Sequence, residues 1–169
     1  MEDRITRTVG TLGLAGESRF RNRPDGNLVP AHSYVLFPLG EKRFALRAEH
    51  VTELARPDSL QTFPHATRLI TGVLIRRSSI IPVCDIAPVL VGDAAPPRKY
   101  YLIAKRRFGD RWELTAIPVT GDCELSSAEM KPPPLMCKLP FYASGVLALD
   151  FEIVEVIDLD KLLNGEEAA

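Results

Sequence analysis

The chain carries one block twice. Gly72-Val73-Leu74-Ile75-Arg76-Arg77-Ser78-Ser79-Ile80-Ile81-Pro82-Val83-Cys84-Asp85-Ile86 returns as Gly145-Val146-Leu147-Ala148-Leu149-Asp150-Phe151-Glu152-Ile153-Val154-Glu155-Val156-Ile157-Asp158-Leu159. Gly, Val, Leu, Ile, Val, Asp and a further Leu keep the same offsets as far as Leu90 and Leu163. Glycine, apolar alternation and aspartate held in register over such a stretch mark an internal repeat. Each copy opens on glycine, runs apolar, breaks at a polar connection, alternates again and ends on aspartate, the pattern of two strands joined as a hairpin. Two copies are too few for a solenoid, which needs at least three units to bury a continuous core. The repeat therefore predicts a pseudo-symmetric pair of small sheets or barrels, and their shared groove is the default binding site.

Length and charge narrow the classes further. At 169 residues the chain can bury a core without a disulfide or metal staple. A formal net charge of −1 provides no field to hold a polyanion, which argues against nucleic acid as a partner. Cys84, Cys123 and Cys137 are far apart and odd in number, which points to reduced thiols in a cytoplasmic protein and to no zinc site. The start is acidic, and no apolar run approaches the roughly eighteen residues of a membrane span, so direct membrane insertion is not expected.

Residues 1–32 show no sustained periodicity and read as a flexible N-terminal arm, with Arg19, Arg21 and Arg23 as a solvated basic cluster. From Tyr34 a strand runs to Leu39, Gly40 to Arg43 turn, and Phe44-Ala45-Leu46 returns. Pro38 suggests an edge position or a bulge. Val51 and Leu54 stand at helical spacing before Arg56-Pro57, so 48–54 is predicted to be a short helix. Ala94-Ala95-Pro96-Pro97 divides the region 33–165 into sequence halves of about 33–95 and 99–163, and Tyr100 to Ala104 restarts the plan that Tyr34 began. Arg107 to Asp110 supplies a turn and Trp112 to Val119 the returning strands. Ser126-Ser127-Ala128-Glu129 has the form of a helical capping box, ended by Pro132-Pro133-Pro134. Asp160 to Asn164 reads as a terminal helix stopped by Gly165.

Reactive constellations are absent. There is no phosphate-binding glycine loop, nucleophile elbow or His-Glu-x-x-His helix, and His32, His50 and His65 have no Cys or Asp at ligand spacing. No catalytic residue, metal or cofactor is expected. Asp85 and Asp158 are the one symmetric carboxylate pair; each ends a β run, where turn capping outweighs acid–base chemistry. Gly72 and Gly145 read as strand entries or bulges. Arg77 sits on a polar connection where arginine is ordinarily solvated, and the residues alone leave open whether it binds a partner.

Gly72-Val73-Leu74, then Arg77, then Ile80-Ile81-Pro82-Val83-Cys84-Asp85 resembles the signature of the CheW-like domain. Tyr34 to Gly40 is similar to that family's opening hairpin, and Val51-Thr52-Glu53-Leu54 to its Val-x-Glu-Ile helix. Leu125 to Pro132 resembles its second-half capping segment, and Asp160 to Asn164 its last helix. The resemblance implies a mainly β fold: two SH3-like five-stranded β barrels in a pseudo-two-fold relation, with a few short helices. It implies a non-enzymatic adaptor that couples chemoreceptors to a CheA-type histidine kinase in chemotaxis. It places the receptor tip near Val51, Glu53, Gly72 and Arg77, and the kinase's own CheW-like domain on outer barrel surfaces. Pro82, Asp85, Gly145 and Asp158 become structural motif positions. The expected location is cytoplasmic, at membrane-associated receptor arrays. Ser78 stands where the family usually has glycine, and Glu113 and Ala116-Ile117-Pro118-Val119 replace its Gly and Val-Asp-x-Val. A pilus or gliding pathway, another histidine kinase, or a small enzyme using Asp85 and Asp158 are the alternatives.

Overall fold

The computed structural model describes residues 20–22, 28–57, 60–62, 69–92, 97–135 and 137–165. Within the arm, β1 (Phe20–Asn22) pairs antiparallel with β2 (Leu28–Pro30), so part of the segment expected to lack structure is a short ribbon. Arg19 and Arg23 of the basic cluster, and His65, lie outside the described residues.

The first half then runs β3 (His32–Leu39), β4 (Lys42–Arg47), a 3-10 turn (Ala48–His50), β5 (Val51–Ala55), β6 (Leu60–Thr62), β7 (Ile70–Arg76), β8 (Ser79–Cys84) and α1 (Ala87–Leu90). In the second half come β9 (Tyr100–Phe108), β10 (Arg111–Val119), β11 (Glu124–Ala128), β12 (Met130–Lys131), β13 (Ala143–Leu149), β14 (Glu152–Ile157) and α2 (Leu159–Asn164). Both halves carry the same succession of hairpin, short strands, hairpin and helix. Turn chemistry repeats as well: Gly40 (φ 67°) and Gly109 (φ 58°) open the first hairpin turn of each half, where a left-handed backbone favours glycine.

The halves do not build separate sheets. One sheet has the order β5-β9-β10-β8-β7-β6 and the other β11-β3-β4-β14-β13-β12. Each half lends its opening hairpin to the sheet formed by the rest of the other half. The two orders superimpose place by place, β5 on β11, β9 on β3, β10 on β4 and β8 on β14, which gives the molecule its pseudo-two-fold character. Both sheets curl into SH3-like barrels. Each has five main strands, and the short β6 or β12 is added at one edge.

Burial explains why the exchanged hairpins are so apolar. Along β3, Tyr34 and Leu36 point into one barrel, whereas Val35, Phe37 and Leu39 join a cluster shared by both. Along β9, Tyr101 and Ile103 fill the other barrel, and Leu102 and Ala104 face the shared cluster. Side chains alternate across a strand, so a strand covered on both faces reads as an unbroken apolar run. The shared cluster also takes Ile117 and Val119 from β10, Ile86 and Leu90 around α1, and Leu159, Leu162 and Leu163 from α2. The short helices seal the seam between the barrels.

Two helix expectations are corrected. Val51 to Leu54 is a strand, because β5 pairs with β9 from Val51↔Ala104 to Ala55↔Tyr101. A register shift between Val51 and Glu53 breaks the alternation and imitates helical spacing over so short a segment. Only Ala48–His50 is helical, as a 3-10 turn. Likewise Ser126 to Ala128 is not a helix start but part of β11, paired with β3 through Ser126↔Tyr34 and Ala128↔His32. A capping box is a local signal, and here the sheet edge of β3 offers those backbone groups a better set of partners.

Strand prolines follow the ladder. Pro38 lies in β3, an interior strand and not an edge, but β11 ends opposite Leu36 and no longer needs a donor there. β10 meets β8 only at Ala116↔Val83, which leaves Pro82 and Pro118 beside a place where one neighbour has departed.

Candidate functional site

The repeated hairpins and β5 set the site. Between β7 and β8 the turn is Arg77-Ser78, with φ of 47° and 65°. Two successive positive φ values are the type I′ pattern that fits the twist of a two-residue hairpin. Ser78 thus keeps the short turn that glycine would make, at the cost of a left-handed conformation for a residue with a Cβ. The turn throws Arg77 outward, and its side chain is 82% exposed.

Glu53 reaches this hairpin from β5, which stands at the opposite end of the sheet order, so their contact closes the barrel. Arg76, on the same strand face as the buried Leu74, donates from Nε to Glu53 Oε1 at 2.7 Å and from a terminal guanidinium nitrogen to Oε2 at 3.1 Å. Arg77 approaches the same carboxylate only at 3.6 Å. The hydrogen bonds from Arg76 hold the Glu53 carboxyl below its ordinary value of 4.5; partial burial pushes the other way, and the charges of Arg76 and Arg77 add to the lowering. Glu53 is thereby satisfied within the molecule, and Arg77 keeps most of its charge for solvent or a partner.

The four expected binding positions therefore have different roles. Glu53 and Arg77 come together. Val51 is 6% exposed and belongs to the shared core, while Leu54, Ile75 and Ile80 are the exposed apolar residues around the site. Gly72 is also buried. A Cβ there would lie 2.5 Å from the Gln61 carbonyl oxygen, so the glycine permits the close approach of β6. Both Gly72 and Gly145 sit at register shifts, between Ile70 and Gly72 and between Ala143 and Gly145, as a bulge reading expects. Their φ values are not among the left-handed ones, so the constraint is space and not backbone conformation. Arg76 was the residue that sequence reasoning missed. Its signal was available in its parity with Leu74, but the partner strand β5 was hidden by the helix expectation.

The paired aspartates act as caps. Asp85 accepts the Ala87 amide at 3.1 Å through one oxygen and pairs with Arg98 through the other. Asp158 accepts the Lys161 amide at 3.1 Å at the start of α2. Among the described residues no cluster of three or more His, Cys, Asp or Glu could hold a metal, and no helix is long and apolar enough to cross a membrane. Burial pushes the Cys84 thiol up, and the Cys123 thiol up to about 12, the charge of Asp122 adding to the effect at Cys123.

Residues 33–167 match the family model described as the CheW-like domain, which is most of the chain. The chain belongs to the CheW-like domain family. Two curated relatives carry the name chemotaxis protein CheW. That of Rhizobium meliloti is 24% identical over 136 residues, covering 79% of this chain and 88% of the relative. The other, from Klebsiella aerogenes, is 24% identical over 162 residues and covers 93% of each. Among solved structures, the scaffolding protein TtCheW from Thermoanaerobacter tengcongensis aligns with a TM-score of 0.65 at 21% identity, covering 78% of this chain and 87% of that one. At that identity the structural likeness speaks for the CheW-like fold, and it agrees with the two curled barrels.

Proposed function

We propose that this CheW-like protein is a non-catalytic adaptor that couples the cytoplasmic tip of a chemoreceptor to a CheA-type histidine kinase. The observation that carries this reading is the outward Arg77 beside a Glu53 already occupied by Arg76, framed by exposed Leu54, Ile75 and Ile80. A cation on an apolar rim suits a helical hairpin whose apolar residues enter a groove and whose acidic residues stay at the edge. Val51 and Gly72 support that surface from beneath.

An adaptor needs a second face that remains free when the first is occupied. The counterpart hairpin β13–β14 supplies one on the other barrel, with Phe151 and Ile153 exposed and Asp150 where the first hairpin has Arg77. The opposite charge at equivalent positions favours different partners for the two faces, and the kinase's own CheW-like domain is assigned to the outer barrel surfaces. Contacts of modest area suffice, since attachment at two points within an array raises effective concentration. The place of work under this reading is the cytoplasmic side of a receptor array.

Receptor pull-down with Arg77→Glu tests the first face. The reversal is expected to weaken binding by about 1–3 kcal/mol without unfolding the protein. Unchanged binding removes Arg77 from the site.

A further inference from the structure

The tip of the first repeat hairpin carries the run Arg76-Arg77-Ser78-Ser79, of which the receptor reading uses only the arginines. β6 covers β7 only from Gly72 to Leu74, and β10 meets β8 only at Val83. Residues 75–80 therefore project as a two-stranded ribbon whose outer backbone edges are open. Ser79 is exposed and stands directly opposite Arg76 in the ladder, so the two side chains share a face. Among the described residues its hydroxyl has no hydrogen-bond partner. Ser78 occupies the turn at φ 65° and has no such neighbour across the ladder.

The groups around Ser79 suit both the attachment of a phosphoryl group and its retention. Arg76 and Arg77 stand three and two residues ahead of it, the cations that a protein kinase with carboxylates along its peptide groove reads. A phosphoserine brings a charge of about −1.5 to −2 at neutral pH and three strong acceptor oxygens. Arg77 is 82% exposed and only 3.6 Å from Glu53, so its guanidinium can turn to those oxygens. Arg76 faces the same position while bonding Glu53 at 2.7 and 3.1 Å. A dianion competes with a single carboxylate for that guanidinium, and the two anions repel.

We propose that Ser79 is a phosphorylation site for an arginine-directed serine/threonine kinase, and that its phosphate draws Arg76 from Glu53 and reverses the charge of the hairpin face. In the transfer the Ser79 hydroxyl gives its proton to the kinase's catalytic base and its oxygen bonds the γ-phosphorus of ATP. The bond from that phosphorus to the β–γ bridging oxygen breaks, and ADP leaves. The consequence for a partner rests on the receptor reading above: a face that offers Arg77 to acidic residues becomes one that repels them. The modification itself is independent of that reading.

The intact protein is incubated with ATP and the catalytic subunit of an arginine-directed serine/threonine kinase, and the product is located by peptide mass spectrometry. One phosphoryl group on Ser79 is expected, absent from Ser79→Ala and formed at least about tenfold more slowly in Arg77→Gln. Phosphorus NMR across a pH series then reads the attached phosphate. Its second ionisation should lie at least about one pH unit lower than in the same protein unfolded in urea, and the difference should shrink in Arg76→Gln. Circular dichroism of each variant checks that the fold persists. No incorporation into the folded protein, incorporation only at other residues, indifference to Arg77→Gln, or a phosphate that titrates alike in folded and unfolded protein overturns the proposal. In receptor pull-down the phosphorylated protein should bind at least about tenfold more weakly. Loss of binding with Arg77→Glu but not with the phosphate overturns the charge reversal. Indifference to both, with Ser79 modified and its ionisation lowered, overturns the receptor reading and leaves the site standing.

Discussion

Glu53 illustrates how one carboxylate links barrel closure to surface charge. Its two hydrogen bonds from Arg76 join β5 to β7, and they release the neighbouring Arg77 from the same duty. Because the folded-state carboxyl is held below its ordinary 4.5, the contribution is fully present above that value and is lost as the pH falls through the lower, folded value. Partial exposure of both partners limits its size through solvent screening. Replacing Glu53 by Gln should cost about 0.5–1 kcal/mol at neutral pH, and the stability difference from the parent should shrink as the pH drops below 4.5. Denaturant unfolding across an acid pH series measures this. A constant difference would mean that the ion pair is not what titrates.

The repeated hairpins share a fold but not an environment, and the two glycines separate them. At Gly72 an added Cβ meets backbone, the Gln61 carbonyl at 2.5 Å; at Gly145 it meets mainly the Met130 side chain, at 2.6 and 2.7 Å. Methionine can move and a paired strand cannot do so without losing its ladder. Gly72→Ala should therefore destabilise by about 1–3 kcal/mol and Gly145→Ala by less, as judged by thermal unfolding. Much at this scale was legible in advance. The hairpins of the repeat, those beginning near Tyr34 and Tyr100, and the terminal helix follow from alternation, turn residues and the stop at Gly165. Two strands were read as helix. At β5 a bulge replaced period two by apparent helical spacing, and at β11 a Ser-x-x-Glu motif was recruited to a sheet edge. In each case a partner strand distant in sequence outweighed a local signal. The same blindness hid Arg76, whose role exists only once β5 is known to close the barrel.

For the whole molecule, the repeat reveals that there are two units but not which strands each unit lends to the other. Because β3–β4 and β9–β10 are exchanged, each barrel contains residues from both sides of the proline-rich divider. The exchanged strands are covered on both faces, with Phe37, Leu102 and Ile117 buried in the core common to both barrels. Neither half can bury these residues alone. Pieces cut at the divider, 1–95 and 96–169, should each lack a cooperative thermal transition, and an equimolar mixture should recover one. A half that folds by itself would argue that the exchange is dispensable.

The same architecture gives two outward hairpins on two barrels packed around one shared core, and the functional reading depends on both being occupied at once. Co-sedimentation of the purified protein with receptor-containing membranes and a CheA-type kinase tests this most directly. The account predicts that kinase sediments with the receptor only when this protein is present, in one complex containing all three. Receptor and kinase displacing each other from the protein, or neither being retained, would contradict it.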